Sequence, residues 1–177
     1  MRKIIYYVAS SLDGFIAGVG EDISGFIQQG EGVNQYLEDL QSFDTVIMGR
    51  KTYEFGYKYG LIPGQPAYPH MDHYLFSNSL SFEAPHEKVH IKKIDRDSIL
   101  KLKQQEGTDI YLCGGGQFAG WLLNEGLLDQ VKIKLNPMIL GKGVSLFNEV
   151  NRTYQLSLND RKSFPSGLQI ISYDVLY

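Results

Sequence analysis

The chain has 177 residues, of which 43% are hydrophobic and 21% charged, as expected for one ordinary globular domain spanning residues 1–177. Its formal net charge of −3 offers no basic stripe for a phosphate backbone, so we expect no nucleic-acid partner. The single cysteine excludes an internal disulfide, and no apolar run approaches the roughly 18 residues that a membrane helix needs. We therefore expect a cytoplasmic protein without membrane contacts.

The first part of the chain alternates apolar runs with turns and helical patterns. Residues 3–9 predict a buried first strand, and the four glycines within residues 11–25 predict loops or turns. The spacing of apolar residues in 34–43 predicts a helix with Asn34 as its cap. Residues 45–48 form a short continuous apolar run, which is typical of a parallel strand covered on both faces.

The middle of the chain continues this alternation. The predicted elements are a glycine turn with a short helix in residues 49–60, a loop in 60–71, and strands at 73–78 and 88–94. A further helix is predicted at 98–106, capped by Asp97 or Ser98 and ended by Gly107.

The last part of the chain changes from alternating to antiparallel patterns. The predicted elements are a strand at residues 109–113, a helix at 116–126, and a strand at 131–135 with one solvent-facing side. Residues 153–164 and 167–177 predict two long antiparallel strands joined by a turn at 165–167. Together these patterns favour an α/β fold, with a mixed sheet covered by helices and closed by a C-terminal hairpin.

Three consecutive glycines join the strand at 109–113 to the following helix. Gly114, Gly115 and Gly116, followed by Gln117, fit the spacing of the dinucleotide fingerprint G-x-G-x-x-A. Bare backbone at a helix start lets amide groups approach a phosphate, although a tight turn without a ligand has the same pattern. A Rossmann half is disfavoured, because the glycines come late in the chain and no acidic residue follows at the required distance.

A second strand–glycine–helix junction lies in residues 46–54. Gly49 is followed by Arg50, Lys51 and Thr52, which place two cations and a hydroxyl at a helix start. Arginine can hold a phosphate monoester through paired N–H groups, whereas the alternative is two solvated surface cations. Two such junctions at the carboxyl edge of one parallel sheet favour a nucleotide site more than either does alone.

These segments resemble a known superfamily. Residues 46–54 (VIMGRKTYE) and the strand–glycine–helix segment YLCGGGQFAGWLL resemble dihydrofolate reductases. Residues 9–17 (ASSLDGFIA) and 122–147, with the pattern G-L-x-D-x₇-P-x-x-L-G-x-G-x-x-L-F, resemble the reductase domain of bacterial riboflavin biosynthesis. The resemblance implies one three-layer α/β domain on a mostly parallel sheet of about eight strands, NADPH as the reductant, and a homodimer.

The resemblance also implies roles for individual residues. Arg50 and Lys51 would reach the 2′-phosphate of NADPH, with Ser77 and Asn78 nearby. Thr52 and the turn from Gly114 to Gln117 would hold the pyrophosphate, and backbone groups of Ala9, Ile16 and Ala17 would line the nicotinamide amide. The residues expected at the cofactor are therefore Ala9, Ile16, Ala17, Gly49, Arg50, Lys51, Thr52, Ser77, Asn78, Gly114, Gly115, Gly116 and Gln117.

The proton donor and the substrate pocket are less well defined by the sequence. Folate reductases carry a carboxylate where this chain has Val33, so Asp13 is the catalytic candidate, with a turn-capping role as its alternative and water as another proton source. Phe26, Tyr53 and Tyr57 are candidates for stacking on a flat substrate, and for Tyr36 we expect core packing instead. The four histidines show no metal-ligand spacing, so no metal is expected.

We therefore expect an NADPH-dependent reductase acting on a small planar heterocycle, similar to a pteridine or pyrimidine. Three alternatives remain open from the sequence: a true dihydrofolate reductase, a non-catalytic nucleotide-binding protein of the same fold, and a structural domain that binds no nucleotide.

Overall fold

The computed structural model describes residues 1–177 and contains ten strands and four α-helices. In chain order the elements are β1 (Ile4–Ser10), β2 (Phe15–Ala17), α1 (Glu31–Leu40), β3 (Thr45–Gly49), α2 (Arg50–Phe55), β4 (Asp72–Phe76), β5 (Val89–Lys92), α3 (Arg96–Gln104), β6 (Ile110–Gly114), α4 (Gly116–Asn124), β7 (Gln130–Leu135), β8 (Val144–Ser145), β9 (Gln155–Ser163) and β10 (Gln169–Leu176). None of the helices is both long enough and apolar enough to cross a membrane.

Eight of the strands form one sheet in the order β5-β4-β3-β6-β1-β7-β10-β9. The first six strands in this order run parallel, and β10 and β9 are antiparallel to their neighbours. The predicted fold class, a mostly parallel sheet that ends in an antiparallel hairpin, is confirmed. The short strands β2 and β8 form a separate antiparallel pair. β2 lies where loops or turns are predicted, and no element is predicted at β8.

Side chains of the central strand β1 alternate between two apolar layers. Ile4 and Tyr6 pack with residues of α3 and α4 on one face, and Ile5 and Tyr7 pack with residues of α1 and α2 on the other. A strand covered on both faces has a continuous apolar sequence, which is why residues 3–9 have no polar alternation. The sheet is therefore the middle of three layers, as predicted.

The starts of two helices differ from the sequence prediction. α1 begins at Glu31 rather than after Asn34, because Gly30 turns the chain with a φ of 106° that favours glycine. α3 begins at Arg96, and its cap is Asp95, whose carboxylate accepts a hydrogen bond from the backbone N–H of Ser98 at 2.7 Å. Ser98 is thus the residue that is capped, not the cap.

Candidate functional site

A cavity of about 760 Å³ opens where β1, β3, β4 and β6 end at the carboxyl edge of the sheet. Except for Gly114, every residue expected to bind the cofactor lines it. These lining residues are Ala9, Ile16, Ala17, Gly49, Arg50, Lys51, Thr52, Ser77, Asn78, Gly115, Gly116 and Gln117. Ligands of open parallel sheets bind at this edge, and a cavity of this size suits a small-molecule ligand.

The glycine triplet forms the junction between β6 and α4. Gly115 precedes the first helical residue, and no side chain caps the helix there. A methyl group on Gly116 would lie 2.2 Å from the carbonyl oxygen of Ser145, so the helix start and β8 pack with their backbones in close approach. The helix N-terminus, with its bare amides and positive dipole end, faces the cavity and suits an anion.

The junction between β3 and α2 lies beside this turn, because β3 and β6 are neighbouring strands. A methyl group on Gly115 would lie 3.1 Å from Oγ1 of Thr52, so the threonine hydroxyl borders the glycine turn. Arg50 is 43% exposed and forms an ion pair with Glu54 at 3.1 Å, one turn along the helix. Exposed ion pairs are weak, so the Arg50 guanidinium is available to a phosphate.

Ser77 and Asn78 lie at the end of β4, on the side of Arg50. The Ser77 hydroxyl oxygen accepts hydrogen bonds from the backbone N–H groups of Ser79 and Leu80, both at 3.1 Å. These bonds shape the turn that follows β4 and leave the Ser77 O–H able to donate. The site therefore places a cation and a hydroxyl donor at the same end of the cavity.

The opposite end of the cavity is formed by β1 and the pair β2–β8. Ala9, Ile16 and Ala17 line it, with Val144 of β8. Gly143 has a φ of 153°, and a methyl group there would lie 2.0 Å from the carbonyl oxygen of Ala17. Only glycine fits this position, which explains one glycine of the pattern in residues 122–147 that resembles riboflavin-pathway reductases.

Asp13 does not line the cavity. Its carboxylate accepts hydrogen bonds from the Ser11 hydroxyl at 2.6 Å and from the backbone N–H groups of Leu140 and Gly141. These bonds lower the pKa of Asp13 to about 2, so near neutral pH it holds no proton to donate. Asp13 thus links two loops, as its turn-capping alternative expects.

The three aromatic residues expected at the substrate also lie outside the cavity. Phe26 and Tyr53 are buried in the core, and the Tyr53 hydroxyl donates a hydrogen bond to the carbonyl oxygen of Gln65 at 2.7 Å. Tyr57 packs against Tyr53 edge to face, with 5.7 Å between the ring centroids. The structure therefore packs the three rings within the protein, and their contact with a substrate stays a prediction.

The cavity lining does contain two tyrosines and the cysteine: Tyr36 of α1 and Tyr111 and Cys113 of β6. The hydroxyl oxygens of Tyr36 and Tyr111 are 3.0 Å apart, and the Tyr68 hydroxyl lies 3.6 Å from the Cys113 sulfur. We call these four residues the tyrosine–thiol cluster. Burial raises the pKa of each member, so all four groups stay protonated and uncharged near neutral pH.

The lysine-bearing face of β7 is covered, not solvated as its alternation had predicted. Lys132 forms an ion pair with Asp39 of α1 at 2.7 Å. Lys134 is only 8% exposed, and its ammonium lies over the ring of Tyr36, 4.6 Å from the centroid, without a carboxylate partner. α1 thus covers the stems of both lysines, which a strict polar alternation cannot reveal.

His73 of β4 contacts the tyrosine–thiol cluster through Tyr68, on whose ring it stacks. Its ring is fully buried, accepts a hydrogen bond from the backbone N–H of Tyr68 at Nε2, and lies 3.0 Å from the carbonyl oxygen of Met71 at Nδ1. This arrangement suits the neutral ring with its proton on Nδ1. Burial lowers the pKa of His73 to about 4. No group of three His, Cys, Asp or Glu side chains is arranged to hold a metal ion.

This histidine predicts a stability loss in mild acid. Since its pKa of about 4 is below the ordinary value of 6.5, the unfolded chain binds the proton first as the pH falls. We expect the free energy of unfolding to fall by about 2 kcal/mol from about pH 7 to about pH 5. Urea unfolding across this range should show a much flatter profile for His73→Gln but not for His90→Gln, which alters a partly exposed strand histidine. Parallel profiles for wild type and His73→Gln would contradict the assignment.

Comparison with known proteins adds to this geometry. Residues 2–170 match the family described as the RibD C-terminal domain. The chain is 33% identical over 172 residues to the uncharacterized protein YwjB of Bacillus subtilis (strain 168), and the match covers 96% of each chain.

Solved structures resemble the chain along its whole length. A proposed riboflavin biosynthesis protein from Shewanella sp. PV-4 has a TM-score of 0.82 at 23% identity, with full coverage of both chains. A diaminohydroxyphosphoribosylaminopyrimidine deaminase/5-amino-6-(5-phosphoribosylamino)uracil reductase of Thermotoga maritima has a TM-score of 0.68 at 17% identity, covering 98% of this chain and 56% of that one. Dihydrofolate reductase of Enterococcus faecalis, complexed with NADP(H), has a TM-score of 0.65 at 14% identity, covering 98% and 94%. At these identities the likeness shows a dihydrofolate reductase-like fold alone.

Proposed function

The chain belongs to the RibD C-terminal domain family, and from this premise we propose that it is an NADPH-dependent reductase of a small planar heterocycle, similar to a pteridine or pyrimidine. The observation that carries the proposal is the meeting of two anion-suited junctions in one cavity: Arg50 after β3, and the glycine turn after β6. A dinucleotide with an extra phosphate matches this pair of sites.

The residues present fit this cofactor along the cavity. Arg50, with Lys51 and the Ser77 hydroxyl, would hold the 2′-phosphate, which NADH lacks. Thr52 and the amides from Gly115 to Gln117 would hold the pyrophosphate. The fit is supported by the bare backbone of Gly115 and Gly116, both of which line the cavity at the start of α4.

The nicotinamide ring would then lie toward Ala9, Ile16 and Ala17, beside the tyrosine–thiol cluster. When bound, NADPH supplies the hydride, and the chain contributes position and a partly dry pocket. Asp13 is ionised and lies elsewhere, so we propose that the proton reaches the substrate from water. The absence of a carboxylate at Val33 argues against a true dihydrofolate reductase.

The proposal is tested by following the absorbance of the reduced nicotinamide with a panel of oxidised pteridines and pyrimidines, while NADPH binding is measured separately by calorimetry. We expect NADPH to bind more tightly than NADH and at least one compound of the panel to be reduced. NADPH binding without reduction of any compound would favour a non-catalytic nucleotide-binding protein. Absence of NADPH binding would refute the proposal.

We also propose that the chain forms a homodimer through the exposed edge strand β9. Every residue of this strand is exposed, including Leu156 at 44% and Leu158 at 60%. Long edge strands with exposed apolar residues are covered or protected in most proteins. Light scattering of the purified chain should give twice the monomer mass, and Leu158→Lys should reduce it to the monomer mass. A monomeric wild type would refute the homodimer.

We also propose that the protein is cytoplasmic, because its one cysteine, Cys113, is a free thiol and suits a reducing compartment.

A further inference from the structure

The tyrosine–thiol cluster has hydrogen-bonding capacity that the protein itself does not use up. Tyr36 and Tyr111 carry two O–H groups, and the 3.0 Å contact between their oxygens consumes one of them. With Tyr111 as the donor of this bond, the Tyr36 O–H has no acceptor in the protein, and both residues line the cavity. Cys113 lies next to this pair and contacts Tyr68 behind it. A ligand edge that reaches this end of the cavity meets neutral donors and acceptors.

The one charge beside the cluster that has no partner of opposite sign is a cation. The ammonium of Lys134 lies over the Tyr36 ring without a carboxylate partner, and its burial lowers the pKa of Lys134, as expected for an uncompensated cation. The nearby Lys132 is neutralised by Asp39, whose carboxylate also accepts a hydrogen bond from Tyr7. His73, which supports Tyr68, is held in its neutral form.

Carboxylates are absent from the cluster. The cavity lining contains two, Glu21 and Glu149, and neither forms a hydrogen bond to a member of the cluster. Glu21 is paired with Lys58 at 2.5 Å. A protonated ring that entered this end would have no counter-charge and would lie near an unpaired lysine, whereas an uncharged or anionic ring would not face this cost.

We propose that the tyrosine–thiol cluster, backed by Lys134, is the substrate-binding end of the cavity and selects an uncharged or anionic flat ring against a cationic one. The ring would receive a hydrogen bond from the Tyr36–Tyr111 pair. This inference rests on the proposed reductase function, because the ring is taken to be the substrate of that reaction. Binding of the ring can nevertheless be measured without any reaction.

The test uses two rings of the same shape, one uncharged and one cationic. Quinazoline-2,4-dione is neutral at about pH 6, and 2,4-diaminoquinazoline is largely protonated there. Each is titrated by calorimetry into the full-length protein saturated with NADP⁺, so that no hydride transfer occurs. We expect the dione to bind at least about tenfold more tightly than the diamine.

Variants connect this preference to the named residues. Tyr36→Phe keeps the aromatic ring and should weaken binding of the dione about fivefold, which is the effect of losing one neutral hydrogen bond. Lys134→Met keeps the apolar stem and removes the positive charge. It should reduce the preference for the dione over the diamine about fivefold, because the protonated diamine no longer meets a like charge. Tyr74→Phe removes a hydroxyl on β4 outside the cavity, beside His90, and should change neither affinity.

The outcomes separate this inference from the proposed function. Tighter binding of the diamine, equal binding, or no binding of either ring would overturn the charge selection. An unchanged ratio in both Tyr36→Phe and Lys134→Met would overturn the role of the cluster, and the ratio in the wild type remains decisive if a variant fails to fold. NADP⁺ titration of the same samples reports on the cofactor site, so a failure there refutes the reductase proposal while the ring titrations, repeated without cofactor, still decide the subsite.

Discussion

Replacing Gly116 by alanine is expected to lower the free energy of unfolding by about 3 kcal/mol and to abolish tight binding of NADPH. The added methyl group would lie 2.2 Å from the carbonyl oxygen of Ser145 and 3.2 Å from that of Leu146. Both are backbone atoms, which cannot rotate away as a flexible side chain can. Helix propensity predicts the opposite sign, a gain of up to about 1 kcal/mol, so the collision decides the result.

The effect on binding follows from what β8 supports. Ser145 pairs with Phe15 of β2, and the same pair of strands carries Ile16 and Ala17 at the edge of the cavity. If β8 moves to admit the methyl group, the loop that lines the cavity moves with it. The variant should therefore lose cofactor affinity even at temperatures where it remains folded.

Gly49→Ala is the matched control, because it alters the glycine of the other junction. A methyl group on Gly49 would lie 3.6 Å from Cβ of Phe118, an ordinary contact, and its φ of −78° is open to alanine. We expect its free energy of unfolding to stay within about 0.5 kcal/mol of the wild type in urea titrations. Similar stabilities of Gly116→Ala and Gly49→Ala would show that the close approach of α4 and β8 is not required.

The cofactor end of the cavity could be predicted from sequence because its chemistry depends on backbone and chain order. Gly49 and Gly114 end neighbouring parallel strands, and a strand followed by glycine and a helix start has few other geometries. A local pattern therefore located a site formed from distant parts of the chain. The likeness of several segments to one superfamily supplied their relative order.

The substrate end could not be predicted in the same way, because it depends on where side chains point. Tyr111 lies in an apolar strand and resembles a core residue, yet it lines the cavity, with its hydroxyl oxygen 3.0 Å from that of Tyr36. Tyrosine packs its ring in the core and places its polar tip elsewhere, so spacing cannot distinguish the two uses. Tyr53 shows the reverse case, since its hydroxyl is bound to the carbonyl of Gln65, away from the cavity.

Glycine-rich segments limited the prediction of secondary structure. The pair β2–β8 contains three and two residues, too few for a periodic pattern, and its close packing on α4 depends on tertiary contacts. Gly32 lies inside α1, where a methyl group would be 2.6 Å from the Leu168 side chain. Glycine is unfavourable inside helices, so a glycine required for close packing gives no helix signal, and the predicted helix begins after the observed one.

Arg50→Ala is expected to weaken NADPH binding about thirtyfold and to change NADH binding less than about twofold, as measured by calorimetry at fixed ionic strength. The two cofactors differ only in the 2′-phosphate, so the difference isolates the group that Arg50 is proposed to hold. Paired, charge-assisted hydrogen bonds to a phosphate contribute about 2 kcal/mol, which corresponds to this factor. The loss of the exposed ion pair with Glu54 should cost the fold less than about 0.5 kcal/mol.

Arg96→Ala provides the matched control for Arg50→Ala. Arg96 is 49% exposed and pairs with Glu125 at 3.4 Å, so it resembles Arg50 in exposure and partner but lies on α3, outside the cavity. It should bind both cofactors as the wild type does. Equal weakening of NADPH and NADH in Arg50→Ala would move Arg50 from the 2′-phosphate to the pyrophosphate. Unchanged affinity for both would remove it from the site, and the selection of NADPH would then have to come from Lys51 and Ser77.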